Sequence, residues 1–290
     1  MSSRLRKVLH RTLVGAALAV VLGLLLHAAY RSEGGLVVWV AGALLALGSV
    51  FELGRMTALV PAGTRLGLWA GLLVALAPGA LHYLLPGQVD TSALYDGFPT
   101  TRAVAASYLG GALVVLLASL ATSAGRARPG LSLGLSVWAL APLPAIVLVW
   151  RLHGPDGLVA LILLSKIGDI FGYYVGNAIG RTHPFPGISP GKTTAGCVAS
   201  LVAGTLAGGA CVGFGLLPGG WEGVASGLAA GALVNLASQA GDLVESVVKR
   251  RAGVKDSGTW FGPSGGVLDL VDSLLLSVPV ALLTWPWLLP

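Results

Sequence analysis

The chain has 290 residues, of which 55% are hydrophobic and only 10% are charged. An ordinary soluble domain carries charge on about a quarter of its residues. The low charged fraction of this chain and its mean hydropathy of +0.83 exclude that class. Disordered chains are poor in apolar residues and rich in charge, so the composition excludes disorder as well. It predicts an all-α integral membrane protein.

Apolar stretches of about 20 residues, long enough to cross the hydrocarbon core as helices, occur nine times along the chain. In chain order, the predicted spans are 12–31, 35–53, 66–86, 103–123, 132–151, 157–179, 195–217, 223–247 and 267–288. The basic start followed by the first apolar run resembles a signal peptide. That run is longer than the usual apolar part of about 7–15 residues, so we interpret it as an uncleaved span.

The distribution of basic residues predicts which side each loop faces, because cytoplasmic loops are enriched in lysine and arginine. With the N-terminus in the cytoplasm, the opposite side receives only Arg31, Arg102 and Arg151. The cytoplasmic side receives Arg4, Arg6, Lys7, Arg11, Arg55, Arg65, Arg126, Arg128, Arg181, Lys192, Lys249, Arg250, Arg251 and Lys255. This bias predicts a cytoplasmic N-terminus and makes 87–102 the longest external loop.

The net charge of +6 does not indicate a nucleic-acid partner, because the basic residues are scattered between apolar runs and form no continuous stripe. The predicted spans fall into two regions. Residues 1–156 form an N-terminal region of about five spans. Residues 157–290 form a C-terminal catalytic region of about four spans with cytoplasmic loops 180–194 and 249–266.

Ionisable groups inside spans are costly, and most of them lie in the last four spans. They follow helical spacing, so each set shares one helix face. Span six carries Ser165, Lys166, Asp169, Tyr173 and Asn177; span eight carries Asn235, Ser238, Gln239, Asp242, Glu245, Ser246 and Lys249; span nine opens with Asp269 and Asp272. One interpretation is a set of buried contacts between helices. The other, which three stripes with five carboxylates favour, is a functional cavity open to the cytoplasm.

Glu52 stands apart from these stripes, at the cytoplasmic end of span two. We interpret it as a residue that reaches water without a functional role.

The two loops beside the stripes offer cations, hydroxyls and glycine-rich backbone, a combination suited to binding phosphate. Gly191-Lys192-Thr193 resembles the end of a P-loop. Proline occupies position 186, where that motif requires its first glycine, so we exclude a P-loop. Carboxylates facing phosphates require a divalent cation between them, and Mg²⁺ combines one or two carboxylates with phosphate and water. Asp242 and Asp269 are the expected ligands, and nucleotide-dependent transfer onto a lipid is the expected class of reaction.

Several spaced blocks between about 165 and 275 then resemble the phosphatidate cytidylyltransferase (CDP-diacylglycerol synthase) family. They are Asp169 through Tyr173 with Gly176 and Gly180; Ser189-Pro190-x-Lys192-Thr193-x-x-Gly196; Gly241-Asp242 with Glu245; Ser246-x-x-Lys249-Arg250; and Lys255-Asp256-x-Gly258-x-x-Phe261-Gly262-x-x-Gly265-Gly266-x-x-Asp269-x-x-Asp272. Three positions differ from the family pattern: Ser264 replaces a histidine, Leu270 an arginine and Ala195 a glutamate.

The resemblance implies that CTP and phosphatidic acid give CDP-diacylglycerol and pyrophosphate, with Mg²⁺ as cofactor and a second cation left open. It implies that Asp242 and Asp269 bind metal and that Lys249, Arg250, Lys255 and Asp256 are catalytic. Substrate binding falls to Ser189, Lys192, Thr193, Ser246, Gly265, Gly266, Asp169 and Asp272.

The expected location is a bacterial inner membrane, with the active site on the cytoplasmic side of the C-terminal helices. The expected partners are the lipid bilayer and the two substrates. Assembly into a homodimer is left open. Two other functions stay open: a CTP-dependent polyprenol or lipid kinase, and a transporter or scaffold without catalysis.

Overall fold

The computed structural model describes residues 3–31, 35–56, 59–84, 98–126, 134–135, 142–262 and 265–290. Within these ranges the chain forms helices and turns and no strand, which confirms the all-α class. The helices are α1 (Ser3–Arg31), α2 (Leu36–Arg55), α3 (Ala62–Leu84), α4 (Phe98–Leu120), α5 (Ser123–Arg126), α6 (Pro142–Ile179), α7 (Thr194–Gly213), α8 (Val224–Arg251), α9 (Val267–Val271) and α10 (Leu274–Leu288), with a 3₁₀ turn at Trp221–Gly223. Most of the external loop 87–102, part of span five and Ser264 lie outside the described residues.

Five segments of the described chain are long and apolar enough to cross a membrane. They are Leu36–Arg55, Ala62–Tyr83, Ala145–Ile179, Thr194–Gly213 and Val267–Leu288. Large apolar side chains on these helices are exposed, for example Leu66, Leu73 and Leu283, each about 70% accessible. Exposed leucines at this density suit lipid rather than water. The chain is therefore an integral membrane protein.

The chain divides into two compact units, residues 1–147 with 252–271 and residues 148–251 with 272–290. In the first unit, α3 packs closely on α4 because glycines remove side chains from the contact. A Cβ at Gly111 would lie 2.5 Å from the carbonyl oxygen of Gly71, and one at Gly67 would lie 2.9 Å from the Cα of Val115.

Helix α6 is interrupted at Gly154, whose backbone angles are φ 69° and ψ −175°. This left-handed φ favours glycine, and the following Pro155 has no N–H to continue the hydrogen-bond ladder. The kink lies between the positions predicted for spans five and six, within the single apolar segment Ala145–Ile179.

In the second unit, α7 packs on α8 along a seam of glycines. A Cβ at Gly208 would lie 2.6 Å from the Cα of Gly231, and one at Gly227 would lie 2.6 Å from the carbonyl oxygen of Gly208. The small-residue spacing Gly204-x-x-x-Gly208 therefore serves helix packing, as expected of such spacing in membrane helices. This contact places the polar face of α8 beside α7.

Candidate functional site

A cavity of about 240 Å³ lies in the second unit, between α6, α7 and α8. Four of the predicted site residues line it: Asp169, Lys192, Thr193 and Asp242. The remaining wall consists of Gly168, Gly172, Tyr173, Gly191, Gly196, Cys197, Ser200 and Gln239. The blocks that the sequence places on span six, the 180–194 loop and span eight thus meet at one cavity.

Small residues bring α6 and the start of α7 together beneath this cavity. A Cβ at Gly176 would lie 2.8 Å from the hydroxyl oxygen of Thr193, and one at Gly172 would lie 3.1 Å from the carbonyl oxygen of Gly196. Thr193 is itself the N-cap of α7, since its hydroxyl oxygen accepts a hydrogen bond from the Gly196 amide at 3.1 Å. Thr193 therefore has a structural role as well as a place in the wall.

Lys192 brings the positive charge to the cavity. Its ammonium Nζ lies 2.7 Å from Asp242 Oδ2 and donates a longer hydrogen bond of 3.4 Å to the carbonyl of Gln239. Its backbone amide donates to the carbonyl oxygen of Ser189 at 3.1 Å, which fixes the turn that carries it. The side chains of Lys192 and Asp242 keep 20% and 28% exposure, so both remain accessible to a solute in the cavity.

Asp242 also belongs to an acidic cluster with Glu245 and Asp272, in which one carboxylate oxygen from each residue lies within 4.8 Å of the others. Lys166 contacts this cluster, with its Nζ 3.7 Å from Asp272 Oδ1. Lys249 Nζ lies 2.5 Å from Glu245 Oε2, one helical turn away on α8. Three close carboxylates repel one another, and cations offset that repulsion.

The donor set of this cluster fits a divalent cation. Carboxylate oxygens are the hard ligands that Mg²⁺ and Ca²⁺ prefer, and Mg²⁺ uses one or two of them with water and phosphate. Asp242 and Asp272 are partly exposed, with side-chain values of 28% and 17%, whereas Glu245 is fully buried against Lys249. Asp242 lines the cavity, and Asp272 is the other member of the cluster that keeps some exposure.

Deeper in the second unit, the polar stripes satisfy one another. Ser238 donates to the backbone carbonyl of Ser165 at 2.8 Å, and the hydroxyls of Ser165 and Ser277 lie 2.8 Å apart. Asn235 accepts from Gln239 at 2.8 Å. Buried contacts between helices thus account for these serines and Asn235, while Asp169 and Asp242 of the same stripes line the cavity.

The other predicted residues of the second unit lie around the end of α8. That helix continues to Arg251, so Lys249 and Arg250 belong to its last turn rather than to a loop from 249. Lys249 and Ser246 are buried, with 9% and 7% exposure, whereas Arg250 is exposed and donates from Nε to the carbonyl of Ile188 at 3.3 Å. This last contact ties α8 to the turn that contains Ser189.

Asp269, Gly265 and Gly266 belong to the first unit, as do the exposed residues Lys255 and Asp256. Asp269 Oδ2 accepts from the Gly266 amide at 2.7 Å and from both the amide and the hydroxyl of Ser257, at 2.8 and 2.7 Å. The predicted metal ligand Asp269 is thus held by hydrogen bonds within residues 257–268, which we call the glycine-rich segment.

Glu245, Lys166 and Glu52 lie near these groups and had no predicted role. Glu245 and Lys166 were part of the polar stripes, and their helical spacing from Asp242 and Asp169 was a signal that could have assigned them. The interpretation of Glu52 is wrong, because its side chain is buried with 1% exposure and accepts hydrogen bonds from Val267 and Leu268. No local pattern reveals contacts between residues so far apart in the chain.

Comparisons with known proteins identify the family of the chain. The model of the cytidylyltransferase family matches residues 10–286. The chain is similar to the phosphatidate cytidylyltransferase of Aquifex aeolicus, with 36% identity over 141 residues that cover 47% of this chain and 51% of that protein. It is similar to the proteins of the same name from Chlamydia muridarum, with 36% identity covering 42% of this chain and 40% of that protein, and from Helicobacter pylori, with 37% identity covering 45% and 44%. The chain spans about half the length, or somewhat less, of the curated relatives it matches.

Proposed function

Because this chain belongs to the cytidylyltransferase family, we propose that it transfers CMP from CTP to phosphatidic acid, giving CDP-diacylglycerol and pyrophosphate. The observation that supports this most directly is the cavity in which Lys192 pairs with Asp242 beside an acidic cluster. An ammonium group binds phosphate, and close carboxylates bind the divalent cation that a nucleoside triphosphate carries. The names of the relatives from Aquifex aeolicus and Chlamydia muridarum supply the lipid substrate.

The reaction requires little proton transfer from the protein. A phosphate monoester is mostly ionised near neutral pH, because its second pKa is about 6, so the attacking oxygen of phosphatidic acid needs no general base. This suits a cavity lined by Lys192 and carboxylates rather than by histidine. The main barriers are the repulsion between two polyanions and the charge that develops on the departing pyrophosphate.

The residues divide by charge. Asp242 and Asp269 are the proposed metal ligands, with Asp272 close to Asp242 as a further candidate. Bound Mg²⁺ would supply charge neutralisation between the phosphates and the carboxylates. Of the remaining predicted residues, Lys192, Lys249, Arg250 and Lys255 are the proposed phosphate-binding cations, and Ser189, Thr193, Ser246, Gly265, Gly266, Asp169 and Asp256 are the proposed orienting groups.

The membrane arrangement proposed with this function has nine spans and a cytoplasmic N-terminus, because the basic residues then collect on one side. Its catalytic region is residues 157–290, following an N-terminal region of residues 1–156. CTP is a cytoplasmic solute, so the active site faces the cytoplasm of a bacterial inner membrane. A homodimer is compatible with this arrangement.

The test is turnover of radiolabelled CTP with phosphatidic acid by the purified full chain in detergent, with Mg²⁺ and then with excess chelator. The expected result is a labelled CDP-lipid that forms only with metal and is lost in Asp242→Asn. CDP release with a polyprenol, without a CDP-lipid, would replace the proposal by a lipid kinase. Absence of CTP turnover with either lipid would contradict a catalytic function and leave the transporter or scaffold.

A further inference from the structure

Glu52 is a buried carboxylate that closes the glycine-rich segment of the first unit. It lies near the end of α2 with 1% exposure. Its Oε1 accepts a hydrogen bond from the Val267 amide at 2.9 Å, and its Oε2 accepts from the Leu268 amide at 2.9 Å and the Ser257 hydroxyl at 2.7 Å. A buried carboxylate is costly unless such donors surround it, so this arrangement specifies one position for the segment.

Ser257 connects Glu52 to Asp269. Its hydroxyl lies 2.7 Å from Glu52 Oε2 and 2.7 Å from Asp269 Oδ2, and its backbone amide donates to the same Asp269 oxygen at 2.8 Å. A hydroxyl has one proton, so Ser257 donates to one carboxylate at a time and ties their positions together. Movement of Glu52 therefore reaches Asp269 through one intervening side chain.

Glycine is required at several positions of the segment, because a side chain there would collide with one of the same two carboxylates. A Cβ at Gly258 or at Gly266 would collide with the carboxylate of Glu52. One at Gly265 would lie 2.6 Å from Asp269 Cγ, and the φ of +83° at this position also favours glycine. On α2, a Cβ at Gly48 would lie 2.8 Å from a methyl group of Val267. The segment can thus approach Glu52 closely only with these residues.

We propose that Glu52 is a positioning residue that fixes the orientation of Asp269 for binding a divalent cation, by accepting hydrogen bonds from the Val267 and Leu268 amides and from the Ser257 hydroxyl that it shares with Asp269. The cation-binding part of this inference rests on the proposed function. A carboxylate is required because it accepts from all three donors, whereas the amide group of glutamine would direct its own N–H groups at some of them. Groups that orient a metal ligand typically affect metal affinity or activity by about 10- to 100-fold.

The first measurement is independent of catalysis. In Glu52→Gln, with the full chain in detergent and chelator, we expect amide exchange across residues 257–268 to be about tenfold faster or more than in the wild type. Exchange in α7 and α8 is expected to stay unchanged. Ser49→Ala is the matched control, because Ser49 is equally buried on α2 and donates only to the carbonyl of Leu45 in its own helix. Equal exchange in Glu52→Gln and the wild type would overturn the proposal.

The second measurement is the Mg²⁺ concentration that gives half-maximal formation of CDP-lipid. We expect it to rise about tenfold or more in Glu52→Gln and in Ser257→Ala, and to return close to the wild-type value in Ser257→Thr, which restores the hydroxyl. A variant that merely folds less well would lower the maximal rate without changing the metal requirement. Ser257→Ala, a smaller change, keeps the test decisive if Glu52→Gln fails to fold.

The two proposals fail in different ways. If the wild type forms no CDP-lipid but Glu52→Gln loosens 257–268, the proposed function fails and the anchoring role stands. If the wild type is active and both variants keep its metal requirement, the positioning role fails and the proposed function stands.

Discussion

Lys192 combines two interactions in one side chain, since its ammonium group pairs with Asp242 and also lines the cavity. Replacement by the neutral Lys192→Met removes a phosphate-binding cation and the counterion of Asp242. We expect kcat/KM for CTP to fall about 100-fold or more, as for other lost transition-state contacts. Steady-state kinetics with labelled CTP measures this.

The matched control is Arg251→Ala, which removes an exposed cation at the end of α8. Its kcat/KM is expected to stay within about twofold of the wild type, because exposed charges at a distance are screened by salt. A Lys192→Met enzyme with the same kinetics as this control would remove Lys192 from the site.

Residue by residue, the sequence predicted the groups that a helical repeat places together. Asp169 and Asp242 belong to such repeats on two different helices, and the packing of those helices brings them into one cavity with Lys192. Glu52 could not be predicted in this way, since its partners Ser257 and Val267 are 205 and 215 positions away. An isolated acidic residue at a helix end is usually solvated. Glu52 is buried instead, in contact with Ser257, Val267 and Leu268.

At the scale of secondary-structure elements, the close packing of α7 on α8 can be tested by substituting a glycine at their contact. In Gly208→Ala, the added Cβ would lie 2.6 Å from the Cα of Gly231, so α7 and α8 would have to separate. Overpacking of this kind costs about 1–3 kcal/mol, and we expect a thermal midpoint in detergent lower by several degrees.

Gly23→Ala makes the same chemical change in helix α1, where a Cβ would have nothing within 4 Å. Its midpoint is expected to be unchanged or slightly raised, because alanine is the better helix former. Equal effects of the two substitutions would mean that the seam between α7 and α8 does not depend on glycine.

The existence of helices was easier to predict than their ends. The apolar runs predicted Leu36–Arg55 and Thr194–Gly213 closely. The amphipathic end of α8 extends to Arg251 because Lys249 pairs with Glu245 one turn earlier and Arg250 contacts Ile188. Such contacts stabilise the charged end of the helix. Because the hydropathy of this end is low, the predicted span eight ends at residue 247.

The whole molecule has a predicted orientation in the membrane that labelling can test. In a background without Cys197 and Cys211, Ser92→Cys would lie in the external loop and His183→Cys in the cytoplasmic loop 180–194. We expect a membrane-impermeant maleimide to label Ser92→Cys in intact cells and His183→Cys only after the membrane is opened. The reverse pattern would contradict the cytoplasmic N-terminus and the cytoplasmic active site.

The contact between Glu52 and the glycines near 260 has an evolutionary consequence. A side chain at Gly258 or Gly266 is excluded by the carboxylate of Glu52 itself, so the constraint on those two positions depends on the residue at 52. In a sequence without this carboxylate, alanine or serine at positions 258 and 266 would no longer collide with residue 52. Positions 52, 258 and 266 are therefore expected to change together during divergence, as one inherited unit distributed over two distant parts of the chain.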